Sequence, residues 1–111
     1  MASAEQKTAM RYFALIYYVI DEFVTRRTPF REEHLRLAGE AASRGQLVLG
    51  GALGDPADRA LLVFRAEDKS VAEDFAQSDP YVTSGLVLRW EVQPWAVVVE
   101  SNAPSSQGNT K

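Results

Sequence analysis

Proton transfer is the chemistry that the chain's single histidine, His34, could perform. An imidazole gains and loses a proton near neutral pH, which suits it to general acid–base catalysis. The chain has no cysteine, so a thiolate nucleophile is excluded. A metal site is not expected either, because such sites usually draw on several His or Cys ligands. The expected chemistry therefore needs no metal and no cofactor.

His34 lies in the stretch "PFREEHL", where the sequence predicts a helix. Thr28 is a favourable N-cap, and Pro29 suits the first helical position. Gly45 can adopt the left-handed conformation that ends a helix after Arg44. At about 100° per residue, His34 lies at the centre of the inward apolar stripe. An unpaired buried nitrogen costs about 1–3 kcal/mol, so His34 needs a partner, either as a core residue or as part of a site.

Two aspartates that each precede a proline are candidate partners of His34. Asp55, in "GDPADR", is explained as a turn former. Asp79, in "SDPY", is explained as the N-cap of a short helix with Pro80 at its first position. Spacing alone does not choose between them. Arg31 lies on the same side of the helix as His34, where it could hold a phenolate or carboxylate or pack its stem on the helix surface.

The elements that would position these residues follow the order β-α-β-β-α-β. Strands are expected at 11–20, 46–53, 60–66 and 86–100, and helices at 28–44 and from about 68–70 to 77, with a short helical turn after Asp79. Ser70 and Glu73 have the spacing of a capping box. Pro94 requires a bulge or a sheet edge. The order predicts a ferredoxin-like α+β fold, with both helices on one face of an antiparallel sheet.

The first strand is apolar on both faces, which two helices cannot both cover. One face carries Phe13, Leu15 and Tyr17, and the other carries Tyr12, Ala14, Ile16 and Tyr18. A second apolar surface therefore needs a partner. We expect a homodimer with sheet-to-sheet packing, because symmetric pairing is the commonest solution.

The length and net charge of the chain restrict the number of domains and the kinds of partner that we expect. A chain of 111 residues is expected to form one domain with a single core. The net charge of −3 gives no electrostatic footprint for nucleic acid, and no segment has the pattern of a signal peptide or a membrane span. We therefore expect a cytoplasmic protein that binds neither nucleic acid nor membrane. Residues 1–9 and 101–111 are expected to be a flexible extension and a disordered tail.

Six segments together resemble the YciI-like, or YCII-related, domain family. They are "RYFALIYYV", "REEHL", "GQLVLGGAL", "ALLVFRAED", "FAQSDPYVTSGLV" and "WEVQPWAVVV", and they cover about residues 10–100. The resemblance implies a dimeric α+β barrel built from ferredoxin-like subunits. It also implies a His–Asp pair proposed as an active site, in which the family histidine matches His34 and the family aspartate matches Asp79. Arg31 matches a frequent but less strict basic position.

The function that the resemblance implies is a small cofactor-free enzyme. The family includes a dehydrochlorinase acting on chlorinated hydroxyhydroquinones, and the wider superfamily holds muconolactone isomerases and cofactor-free monooxygenases. His34 and Asp79 would catalyse elimination or isomerisation of a small cyclic or aromatic compound, and Arg31 would bind it. Tyr81 is added as a binding residue from its position next to Asp79, where an aromatic ring could lie at the mouth of a pocket. A non-catalytic ligand-binding or regulatory dimer and a purely structural domain stay open as alternatives, because fold alone does not determine function.

Overall fold

The computed structural model describes residues 10–101. Its elements are β1 (Arg11–Val19), α1 (Phe23–Arg26), a 3-10 turn (Thr28–Phe30), α2 (Arg31–Ser43), β2 (Leu47–Gly54), β3 (Ala57–Ala66), α3 (Ser70–Ser78), α4 (Pro80–Thr83) and β4 (Val87–Trp95). The predicted β-α-β-β-α-β order is confirmed, with the two longer helices, α2 and α3, following β1 and β3. The predicted tails lie outside the described residues, apart from Ser101.

Within residues 10–101, four strands form one antiparallel sheet in the order β2-β3-β1-β4. The first strand of the chain is thus central, with β3 on one side and β4 on the other. Pro94 lies on β4, which is an edge strand, and it pairs with Phe13 of β1. The prediction that Pro94 lies at a bulge or a sheet edge is therefore confirmed. Together these features confirm the ferredoxin-like α+β class.

The last strand is shorter than predicted, because β1, the strand with which it pairs, begins at Arg11 and offers almost no further residues for pairing. β4 ends at Trp95, which pairs with Tyr12 near the beginning of β1. Beyond it, the Val97 N–H donates to the Trp95 carbonyl at 3.0 Å, and the chain leaves the sheet. The prediction of a strand to residue 100 was therefore wrong, although its apolar sequence is typical of a strand.

The start of α2 differs from the prediction, whereas its end agrees. Thr28 is not the N-cap: it opens the 3-10 turn, and its hydroxyl donates to the Thr25 carbonyl at 2.9 Å. The turn carries the chain into α2, and the cap position falls on Phe30, which has no side-chain oxygen to offer. At the other end, Gly45 has φ +76° and its N–H donates to the Ala42 carbonyl, as expected of a glycine stop.

The predicted capping box of α3 was wrong. Ser70 is the first residue of the helix, and both its N–H and its hydroxyl donate to Asp68 Oδ1. These hydrogen bonds hold the pKa of Asp68 below its ordinary value. The Glu73 N–H donates to the Lys69 carbonyl instead of to a serine oxygen. The aspartate two residues upstream therefore takes the role that the spacing assigned to Ser70.

The hydrophobic core lies between the helices and one face of the sheet. Its buried members from the sheet are Phe13, Leu15, Tyr17, Val19, Ala60, Leu62, Phe64 and Val87, and those from the helices are Phe23, Ala41, Ala72, Phe75, Ala76 and Tyr81. On β1 the buried residues alternate with half-buried ones, as the two-residue period of a strand requires. The opposite face, here called the open sheet face, carries Ala14, Ile16, Leu49, Leu53 and Leu61.

Candidate functional site

Helix α2 and the residue before α4 bring the predicted histidine and aspartate together. His34 Nδ1 lies 2.9 Å from Oδ1 and 3.0 Å from Oδ2 of Asp79. A carboxylate only accepts hydrogen bonds, so Nδ1 donates and Nε2 is the ring nitrogen left for another partner. Nε2 makes no hydrogen bond to any residue in the described part of the chain. The other candidate, Asp55, lies in the β2–β3 turn, and the carboxylate that bonds and pairs with His34 is that of Asp79.

Asp79 occupies the N-cap of α4 and is wholly buried. Its Oδ1 accepts from the Tyr81 backbone N–H at 3.0 Å, and Pro80 holds the first helical position. Asp79 is therefore both the N-cap of α4 and the hydrogen-bond partner of His34, two roles that the sequence offered as separate explanations. The cap fixes the carboxylate on the backbone, and the fixed carboxylate in turn orients the imidazole of His34.

Tyr17, on the central strand, supplies a third donor to Asp79. Its hydroxyl donates to Oδ2 at 2.6 Å, and its side chain has 0% exposure. Burial, the Asp79 charge and this hydrogen bond together hold the pKa of Tyr17 above its ordinary value, so the hydroxyl remains a donor. The sequence places Tyr17 on one face of the first strand with Phe13 and Leu15, but it does not say which face the helices cover and identifies no partner for Tyr17. The available signal was that a buried tyrosine hydroxyl usually has a hydrogen-bond partner.

Aromatic rings enclose the imidazole of His34. The Tyr81 ring stacks on it, with centroids 3.8 Å apart and planes 9° apart. The Phe75 ring meets it edge-on, at 6.3 Å between centroids. Arg31 Nη1 donates to the Tyr81 hydroxyl at 3.3 Å. The four residues predicted from the sequence therefore form one connected cluster, and His34 keeps 12% of its side chain exposed.

A cavity of about 240 Å³ lies beside this cluster, between the α1–α2 segment and the sheet. Tyr17, Arg31, His34 and Tyr81 all line it. Four of its lining residues on β2 and β3 are small, namely Gly50, Gly51, Ala52 and Ala60. Small side chains on the sheet leave the space that larger ones would fill, which explains why a cavity exists here. The cavity brings the exposed part of His34 within reach of a small molecule.

Larger depressions lie away from the cluster. One of about 320 Å³ separates α2 from α3 and is bordered by Glu40, Arg44 and Asp74. A second, of about 770 Å³, lies along residues 10–12 and 94–100, and a third, of about 280 Å³, is bordered by Gln46 and residues 65–68. None of the four predicted site residues borders any of these depressions, so volume alone does not identify the cavity beside His34.

Metal-binding and membrane-spanning features were also sought in residues 10–101. These residues contain no group of three or more His, Asp or Glu side chains placed to hold a metal ion. None of the helices in the same range is long and apolar enough to cross a bilayer.

Comparison with known proteins identifies the family. The YCII-related domain family matches residues 10–96, which is most of the chain. A similar solved structure is 5-chloro-2-hydroxyhydroquinone dehydrochlorinase from Burkholderia phenoliruptrix AC1100, in complex with 2,5-dihydroxybenzoquinone. It superposes with a TM-score of 0.62 at 18% sequence identity, over 76% of this chain and 92% of that one. No curated protein sequence matches. The chain belongs to the YCII-related domain family.

Proposed function

We propose that this protein is a small cofactor-free enzyme that uses His34 for proton transfer on a small cyclic or aromatic compound. The observation that carries the proposal is the arrangement of the imidazole: Nδ1 is engaged by buried Asp79, while the ring borders a cavity. That arrangement is what a general base requires, because one nitrogen is fixed and the other is available.

The two reactions proposed, elimination and isomerisation, use Nε2 in the same way. In an elimination of HCl, Nε2 accepts the proton that the substrate releases. The electron pair left behind forms the new double bond, and chloride departs with its own bonding pair. The imidazolium later returns its proton to water. In an isomerisation, Nε2 delivers the proton to a different atom of the same substrate.

Asp79 is proposed to orient His34 and to stabilise the imidazolium as it forms. Its three donors are Tyr17, His34 and the backbone of Tyr81, and they come from three different elements of the fold. A carboxylate held at this many points has little freedom to reorient. It therefore favours one ring orientation of His34 before any substrate binds.

Arg31 and Tyr81 are proposed to bind the substrate. Tyr81 presents an aromatic surface beside the imidazole, and Arg31 is an exposed cation at the same cavity. A phenolate or carboxylate would meet the guanidinium by charge-assisted hydrogen bonds. The dehydrochlorinase with the similar fold was solved with a one-ring dihydroxyquinone, which supports the proposed class of compound.

The test of this function is turnover of chlorinated hydroxyhydroquinones and small lactones by the wild type and by His34→Ala. We expect the variant to lose about 100-fold or more of the rate, which is the usual contribution of a general base. A substrate that the variant converts at the wild-type rate would contradict the mechanism. A ligand that binds both proteins and stays chemically unchanged would favour the alternative, a non-catalytic binding domain.

We also propose that the protein is a homodimer packed through the open sheet face. Leu49 has 63% exposure on this face, and Leu53 is exposed as well. A mass measurement by light scattering at micromolar concentration should give twice the chain mass, and Leu61→Glu should give a monomer. A monomer mass for the wild type would contradict the proposal. A cytoplasmic location and the domain bounds 10–100 stay predictions.

A further inference from the structure

The cavity beside His34 is positively charged, although the chain as a whole has a net charge of −3. Arg27 and Arg31 both line it together with His34, and none of its described lining residues is an Asp or Glu. The nearby carboxylate, Asp79, is wholly buried and already accepts from three donors. The local charge is therefore opposite in sign to that of the whole protein.

Both arginines are positioned by uncharged aromatic groups. The guanidinium carbon of Arg27 lies 5.4 Å from the centroid of the Phe23 ring, and Arg31 donates to the Tyr81 hydroxyl. These contacts restrict each side chain without neutralising it. Across residues 10–101, no carboxylate lies within ion-pairing distance of either guanidinium. Arg36, by contrast, pairs with both Glu33 and Glu40.

The size and walls of the cavity restrict what an anion there could be. Its volume of about 240 Å³ is below the usual range for drug-sized ligands, about 300–1,000 Å³. Leu35, Leu47 and Leu62 line it along with the aromatic rings of Phe23 and Tyr81. A ligand that fits must therefore be about one ring in size and largely apolar, with its charge confined to one end.

We propose that the substrate is a one-ring organic carboxylate, and that Arg27 is a specificity-determining residue that binds its carboxylate together with Arg31. A guanidinium offers a planar fork of N–H donors that matches the two oxygens of a carboxylate. The ring of the ligand then lies against the apolar walls, beside Nε2 of His34. This inference rests on the proposed function, since it names the class of substrate for the same cavity.

Calorimetric titration with benzoate tests the inference, with benzamide as an uncharged probe of matched shape. We expect benzoate to bind the wild type at least about tenfold more tightly than benzamide. Arg27→Gln should weaken benzoate binding about tenfold, and Arg27→Lys should weaken it less, because the charge remains. Arg26→Gln is the matched control, since Arg26 is the preceding residue of the same segment but does not line the cavity. It should keep the wild-type affinity.

Three outcomes would overturn the inference: equal affinity for benzoate and benzamide, an unchanged affinity in Arg27→Gln, or tighter binding of inorganic phosphate than of benzoate. His34→Gln separates this inference from the proposed function. It should bind benzoate within about twofold of the wild type, because the carboxylate contacts lie on the arginines. Loss of charge selectivity with His34-dependent turnover intact would overturn only the inference. Charge-selective binding together with turnover that survives His34→Ala would overturn only the proposed function.

Discussion

Tyr17 and Tyr18 are neighbours on the central strand, yet they lie in opposite environments. Tyr17 has 0% exposure and donates to a buried carboxylate. Tyr18 is half-buried on the other face, where its hydroxyl donates to Glu91 and the guanidinium carbon of Arg89 lies 3.8 Å from the centroid of its ring. The residue type, the strand and the hydrogen-bonding capacity are the same. Only the face of the sheet differs.

The contrast between the two tyrosines shows why the cluster of His34 and Asp79 lies on the face of the sheet that the helices cover. There, α2 and α4 exclude water from Asp79, so its hydrogen bonds are short, directed and unscreened. On the open sheet face a charged group such as Glu91 remains near solvent, where hydrogen bonds fix geometry less firmly. The covered face can therefore hold a polar group in one orientation, which is what the proposed role of His34 requires, and the open sheet face is the surface proposed for the dimer.

The largest expected effect comes from removing the carboxylate of the covered face. Asp79→Ala leaves Tyr17, His34 and the Tyr81 N–H without their acceptor, and we expect a loss of about 3–5 kcal/mol in the free energy of unfolding. Urea denaturation measures it. Asp74→Ala, at an exposed aspartate of α3, is the control and should change stability by less than about 0.5 kcal/mol. Equal effects would show that Asp79 is not held as described.

The matched pair Tyr17→Phe and Tyr18→Phe tests the comparison directly. Tyr17→Phe removes a buried hydrogen bond to a charged group, which we expect to cost about 1.5–3 kcal/mol. Tyr18→Phe removes a half-buried one and should cost less than about 1 kcal/mol. Denaturant unfolding of both variants gives the difference, and a reversed order would contradict the distinction between the faces.

The smallest expected effect is a dependence of stability on alkaline pH. The pKa of Tyr17 is raised in the folded state, so the unfolded chain loses this proton first as pH rises. The contribution of Tyr17 is therefore complete below its unfolded pKa, about 10, and falls above it by at most about 1.4 kcal/mol per pH unit. The free energy of unfolding of Tyr17→Phe should fall less steeply with rising pH than that of the wild type. Tyr18→Phe still has Tyr17, so it should retain the contribution of Tyr17 to this pH dependence. Identical slopes for wild type and Tyr17→Phe would contradict this.

Local patterns predicted the elements, the inward position of His34 and the edge position of Pro94, because each depends on short-range periodicity or on backbone chemistry. The choice of Asp79 over Asp55 came from the family resemblance, since both aspartates fit their local turns equally well. The hydrogen bonds between His34 Nδ1 and the Asp79 carboxylate agree with the choice of Asp79 as the partner.

Other features of the site could not be predicted, because they depend on long-range placement. The contact of Tyr17 with Asp79 joins residues 62 positions apart, through the register of β1 and the docking of α4. Arg27 follows the short helix α1, for which the sequence predicts no element, so nothing in the sequence placed it at the cavity. The 3-10 turn at Thr28–Phe30 likewise displaced a cap that is favourable by residue type.

The central claim is that Asp79 holds Nδ1 of His34 so that Nε2 is free to accept a proton. Nitrogen-15 NMR of the imidazole measures this directly, and the signals are unambiguous because the chain has a single histidine. In the neutral form of the ring, we expect the proton on Nδ1 in the wild type and a mixture of the two tautomers in Asp79→Ala. A wild-type ring that carries its proton on Nε2 would contradict the account.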